Sequence, residues 1–315
     1  MEKQALAPAG IVPLISGAVT GPLGIAHLPR FWLKMRAHAK GMLVEGYRHG
    51  AGGTDEALLT TFGVDGAAFA AYIAAEAPDE PACEAWFRAH ATNLTPETVR
   101  AFNDEVTGFE MPDPRRSEWS ARFGLDDGAF THAIGLNQLD DWDLAHALLR
   151  ASGAPGAMSV PAISTSAVGP LGVMHLARLW FKHRLHGVGR LPAGYRHGAG
   201  GFDEVLSEGL GFDADAFAVF VETETPDYLT AEAWIREDAT KLNANAIAAL
   251  NERFRTAKMP PESLAKRRAE LGAVADGLEL GIPLNDLDDW AELHRQLRLR
   301  CAAYARSSGL RAPRF

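Results

Sequence analysis

The chain has 315 residues, of which 47% are hydrophobic and 23% charged, and a formal net charge of -9. That balance belongs to a folded globular protein with room for two ordinary cores, and it excludes a disordered chain. The acidic excess repels phosphate backbones, and no stretch interleaves basic with aromatic residues, so nucleic acid is set aside as a partner.

Only Cys83 and Cys301 occur, with no Cys-x-x-Cys pair. This argues against disulfides and structural zinc and makes the cytoplasm the expected compartment. No run approaches the roughly 20 apolar residues of a membrane helix, so no membrane partner is expected.

From the N-terminus, Ile11 to Leu23 is apolar enough to resemble the core of a secretory signal. The segment recurs, however. Val12-Pro13-x-Ile15-Ser16 returns as Val160-Pro161-x-Ile163-Ser164, and Gly21-Pro22-Leu23-Gly24 returns as Gly169-Pro170-Leu171-Gly172. It is therefore expected to belong to the fold and not to be cleaved. Residues 26–40 carry apolar groups at helical spacing up to Gly41, with Met174 to Leu185 and Gly187 as the counterpart. Ala67 to Glu76, Glu84 to His90 and Pro96 to Val106 continue the helical pattern. Asp140 or Asp141 is predicted to cap a last helix, Trp142 to Leu149. Strand signals are sparse, so the class is read as all-α, with a short hairpin at most.

At an offset of 148, residues 12–146 align with 160–294 without a gap and with 57 identities in 135 positions. A period this long means tandem duplication of a domain and not a solenoid. The expected organisation is a helical repeat domain over 1–150, an Ala/Gly/Ser/Pro-rich linker over 151–159, and a second repeat domain with a C-terminal tail over 160–315. Equal copies favour pseudo-twofold packing, and self-association into a homo-oligomer is compatible with the sequence.

The polar residues shared by the copies supply the candidate site. The longest identical block is Gly46-Tyr47-Arg48-His49-Gly50-Ala51-Gly52-Gly53, repeated over Gly194 to Gly201 and followed by Asp55-Glu56 and Asp203-Glu204. Its glycines allow positive φ and close approach. The paired Arg48-His49 and Arg196-His197 suit a carboxylate or another anionic ligand edge and are the candidate catalytic residues. The plainer reading is an interhelix loop with Asp55 or Asp203 capping the next helix.

His27 and His175 are candidate metal ligands. His38 lies eleven residues beyond His27, a rise of roughly 16 Å along a helix, so those two cannot ligate one ion. Asn137-x-Leu139-Asp140-Asp141-Trp142 with His146, repeated at 285 to 294, suits acid–base chemistry or, more simply, helix capping with a Trp anchor. The chain contains no Gly-x-Ser-x-Gly, His-Glu-x-x-His, phosphate loop or dinucleotide fingerprint.

The pattern His27-Leu28-Pro29-Arg30, Tyr47 to Asp55 and Asp140-Asp141-Trp142 resembles a bacterial domain family of unknown function whose members are about half this length. Short members carry a Tyr-x-Cys-Pro-Leu-Asp turn where this chain has a longer loop. In size and in lacking familiar cofactor motifs the chain also resembles trans-anethole oxygenases, which cleave the propenyl double bond of arylpropenes to aldehydes. That resemblance implies a small aromatic substrate, dioxygen, and haem or histidine-bound non-haem iron. His27 or His175 would be the iron ligand. Arg30, Arg178, Arg48 or Arg196 would hold propionates, and Trp32 and Trp180 would line the slot. Two alternatives stand beside it: a small-molecule-binding or scaffolding protein without chemistry, and a metal-dependent hydrolase or isomerase built on Asp140, Asp141 and His49.

Overall fold

The computed structural model describes residues 10–126, 128, 130–151, 160–272 and 278–307. Apart from Ala151, the expected linker lies outside them. Among the described residues the chain is all-α. The first half contains α1 (Leu28–Ala39), α2 (Gly53–Phe62), α3 (Gly66–Glu76), α4 (Glu80–His90), α5 (Pro96–Gly108), α6 (Arg115–Phe123) and α7 (Ala133–Ala151). The second half contains α8 (Leu176–Gly187), α9 (Gly201–Leu210), α10 (Ala214–Thr223), α11 (Tyr228–Asp238), α12 (Ala244–Thr256), α13 (Pro261–Leu271) and α14 (Gly281–Ser307). No single helix among the described residues is long and apolar enough to cross a membrane.

Local signals explain most of the boundaries. Pro29 sits in the first turn of α1, where its missing N–H costs nothing. Asp65, Asp79 and Thr95 cap α3, α4 and α5 by accepting from free backbone amides, and Asp213, Asp227 and Asn243 do the same for α10, α11 and α12. In place of a hairpin there are only isolated bridges. Two of them recur at the 148-residue offset: Thr20 with Ala26 and Val168 with Met174, then Glu110 with His132 and Lys258 with Leu280.

Two expectations are corrected. Asp140 and Asp141 do not cap a helix beginning at Trp142, because α7 starts at Ala133 and carries both carboxylates in its interior. Their charge is used in tertiary pairs instead, Asp140 with Arg122 and Asp141 with Arg30. Asp55 and Asp203 do not cap α2 and α9 either. The N-caps there are Gly52 and Gly200, without a side-chain cap, and the aspartates sit inside the first turn with their carboxylates turned towards α1 and α8.

The halves interlock through their last helices. The α7 helix is tied to its own half by Asp141, yet Trp142 packs on Tyr228 of α11 at 4.6 Å between ring centroids, and His146 lies against Trp180 of α8. In return, α14 is tied to its own half by Asp289 and packs on α4, where His294 has Arg36 and Asp79 as charged neighbours. One continuous cluster of buried apolar side chains therefore runs through both halves. Trp32 and Trp180 lie at its centre, fully buried, and donate their indole N–H to the carbonyls of Pro78 and Pro226 at 3.0 and 3.1 Å.

This arrangement predicts that Asp141→Ala and Asp289→Ala each lower stability by roughly 3–5 kcal/mol, the cost of leaving a buried guanidinium unpaired. Urea unfolding of the full chain measures it, and a loss below about 1 kcal/mol would show that the pair does not hold the last helix.

Candidate functional site

Each half builds the same two buried polar groups. In the first, Arg30 donates to the carbonyl oxygens of Pro13 and Ile15 and to Tyr47 Oη, and forms an ion pair with Asp141 at 2.8 Å. Tyr47 in turn donates to Asp141. Arg178 repeats this with the Ile163 carbonyl at 2.8 Å, Tyr195 at 2.7 Å and Asp289 at 2.6 Å, and Tyr195 donates to Asp289 at 2.6 Å. The repeated Val-Pro-x-Ile-Ser segment thus supplies extended carbonyls to a buried guanidinium. Burial opposes the Arg30 charge, but Asp141 outweighs it and holds the guanidinium above its ordinary value.

The second group centres on Asp55 and Asp203. Asp55 accepts from His27 Nε2 at 2.7 Å, from Lys34, and through its other oxygen from the Gly50 amide at 2.9 Å. Asp203 accepts from His175 at 2.6 Å, from Lys182 at 2.6 Å and from the Gly198 amide at 2.8 Å. Each aspartate therefore pins its glycine loop to the first helix of its half. All four loop glycines in each half take positive φ, between 58° at Gly53 and 80° at Gly194, a conformation that favours glycine at those positions.

Burial drives the imidazoles of His27 and His175 down to about 4, against the opposing pull of Asp55 and Asp203, so both are neutral. Burial likewise brings Lys34 down to about 8, with Asp55 opposing. The Asp55 carboxyl feels the same burial, but His27 and Lys34 outweigh it and hold it well below the usual range. His27 and His175 themselves take left-handed backbone at φ 69° and 71°, a strained conformation at the start of each helix held by their aspartate bonds.

A carboxylate only accepts, so Nε2 of each histidine carries the proton and Nδ1 keeps the lone pair. In the second half that lone pair receives the Thr165 hydroxyl at 2.9 Å, which occupies both ring nitrogens of His175. Thr165, His175 and Asp203 follow the order of a nucleophilic triad, yet Thr165 is 1% exposed and does not reach the cavity wall, so the string acts as a clamp. In the first half Gly17 replaces Thr165, and His27 has no converging set of further metal-ligating side chains among the described residues. The donor set at His27 and His175 does not fit resident iron, and no step is derived through one.

The cavity that meets these groups has a volume of about 460 Å3 and lies in the second half, between α8 and the start of α9 on one side and α13 and α14 on the other. His175, Arg178, Lys182, Tyr195 and Asp203 form its floor, and Arg196, Lys258, Lys266 and Arg267 stand at its rim. Residues 21–132 match the model of a family described as a domain of unknown function, DUF5069. No curated protein matches the chain. The DUF5069 span takes in α1 to α6 with His27, Arg30, Lys34, Tyr47 and Asp55, and stops before Asp141 completes the set.

The remaining candidates fall at the loop surface. Arg48 and Arg196 are exposed and lie along Gly52-Gly53 and Gly200-Gly201, with Arg196 Nη1 3.2 Å from where a Cβ of Gly201 would stand. His49 and His197 bond the carbonyls of Tyr47 and Tyr195 through Nδ1 and stack on His38 and His186. Sequence reading missed Lys182 and Tyr195 as floor groups, although both are identical to their first-half counterparts, Lys34 and Tyr47. It also missed Asp286, whose carboxyl accepts from Ser164 at 2.8 Å and is pushed up to about 7 by burial.

The acid limb of stability follows from these shifts. A neutral buried histidine contributes stability that is present above pH 6.5 and lost as pH falls towards 4, because the unfolded chain gains the proton first. Asp286 acts in the opposite sense: its folded carboxyl keeps a proton from about 3.8 to about 7, so its contribution is lost as pH rises through that window. Asp286→Asn should therefore gain thermal stability relative to the parent between pH 4 and 7.5. A difference in melting temperature that does not change with pH would show that Asp286 is ionised when folded.

Proposed function

We propose that the chain is a small-molecule-binding protein produced by tandem duplication, and that its second half takes an anionic ligand of carboxylate or phosphate chemistry. The observation that carries this reading is the cavity of about 460 Å3 and the cations around it, in a chain of net charge -9. The volume is that of a small-ligand site. Several rim cations are paired already, Lys258 with Glu279, Lys266 with Glu270 and Arg267 with Asp288. Arg196 has no carboxylate partner among the described residues, and it lies beside the start of α9, where no side chain caps the free amides. An anion entering there meets an exposed cation and a helix N-terminus over a neutral imidazole.

The comparison of halves supports the same reading. The floor is common, but Lys258, Lys266 and Arg267 correspond to Glu110, Glu118 and Trp119 in the first half. Two rim charges have changed sign and a third has been lost, while Arg196 keeps a cationic counterpart in Arg48 and the supporting pairs have stayed. A duplicated protein that keeps its scaffold and changes its rim has altered ligand preference, not fold.

Calorimetric titration of the full chain with inorganic phosphate and with citrate tests the proposal. Binding should weaken with added salt, Arg196→Ala should lose about 10- to 100-fold in affinity, and Arg48→Ala should leave it unchanged. Equal affinity in the Arg196→Ala protein would remove the proposed site. An arylpropene-cleaving oxygenase would instead purify with a Soret band or bound iron and consume oxygen with its substrate, and that result would replace the binding-protein reading.

A further inference from the structure

Beside the cavity, towards the C-terminal end of α8, the second half gathers three imidazoles and one carboxylate. His183 and His186 lie three residues apart on α8 and so share a face. Glu222 comes from α10, and His197 from the glycine loop. His183 Nδ1 and His186 Nδ1 stand 2.8 and 2.9 Å from the same Glu222 oxygen. The rings of His186 and His197 are 4.1 Å apart, and ligand atoms of His186, His197 and Glu222 all fall within 4.8 Å of one another.

We propose that His186, His197 and Glu222 bind a divalent first-row transition-metal ion, with His183 positioning the carboxylate.

The protonation pattern favours an ion over a closed hydrogen-bond cluster. His197 Nδ1 is 3.2 Å from the Tyr195 carbonyl, which only accepts, so Nδ1 holds the proton and Nε2 keeps its lone pair. That nitrogen has no proton to give Glu222 and is set for a metal. His183 is 2% exposed, and its Nε2 has no hydrogen-bond partner, so the ring is buried for the sake of its Nδ1 contact with Glu222. A carboxylate ligand fixed by a buried imidazole is the usual support around a metal. Two imidazoles and a carboxylate suit zinc, iron, cobalt or nickel more than calcium or magnesium, and three protein ligands leave positions open for water. His186 is 46% exposed, which gives the ion a route in.

The first half is a built-in control. His38 and His49 keep the stacked pair, with ring centroids 3.6 Å apart, and α1 packs on α3 as α8 packs on α10. Met35 and Ala74 replace His183 and Glu222 there, so the same fold exists without the carboxylate or its support. The proposal is independent of the anion reading, since none of the four residues lines the cavity.

Full-length protein stripped with a chelator would be titrated with Co2+, followed by visible absorption, and with Zn2+ by calorimetry. One ion per chain is expected, with affinity lost by at least about 100-fold in His197→Ala and reduced about 10- to 100-fold in His183→Met. The double variant His183→Met, Glu222→Ala installs the first half's own pair and should fold with an unchanged helical spectrum while binding no ion. Ion binding by the double variant or by His197→Ala at parental affinity overturns the proposal, as does a parent protein that takes up no ion.

Discussion

A buried guanidinium in each half organises the rest. Arg30 is 8% exposed and Arg178 5%, and a cation so placed is tolerated only if every direction it faces supplies an acceptor. The acceptors come from three separate parts of the chain: the extended segment before the first helix, the tyrosine opening the glycine loop, and an aspartate inside the last helix. Meeting the demand of one side chain therefore fixes an entry segment, a loop and a closing helix at once. The Asp55 and Asp203 bonds then hold the loop against the first helix, and the cavity floor is what remains when both demands are met.

The two copies divide labour between what is kept and what is changed. The pairs around Arg30 and Arg178 and around Asp55 and Asp203 are the same in both, since altering one partner strands the other. The halves part at the rim, which is basic in one and acidic or aromatic in the other, and at one buried position of the first helix, where His183 of α8 stands in place of Met35 of α1.

This division explains what could be read from sequence. The helical class, most helices of the first half and the glycine loop were legible because they rest on local signals such as spacing, caps and positive-φ glycines. The partnerships were not, because Arg30 meets Asp141 across 111 residues and no periodicity connects them. Capping was the wrong reading of Asp140 and Asp141 for the same reason: the motif looks like a helix start, and only the distant arginines reveal where the charge goes. Selecting residues identical between copies singled out His27, His175 and Trp32, which turn out to be buried and internally satisfied. The same filter passed over His183 and Glu222, which have no counterpart in the first half. Identity between the halves marks the scaffold, and side chains particular to one half fall outside it.

The crossed placement of α7 and α14 has a consequence for how such a chain exists at all. Trp142 of α7 packs on Tyr228 of the other half and α14 packs on α4, so one apolar core spans both halves and neither completes its interior alone. Carrying both halves on one polypeptide makes their docking an intramolecular step of high effective concentration. The two docking surfaces also need not be alike: Trp142 meets Tyr228, and the position 148 residues before Tyr228 holds Glu80.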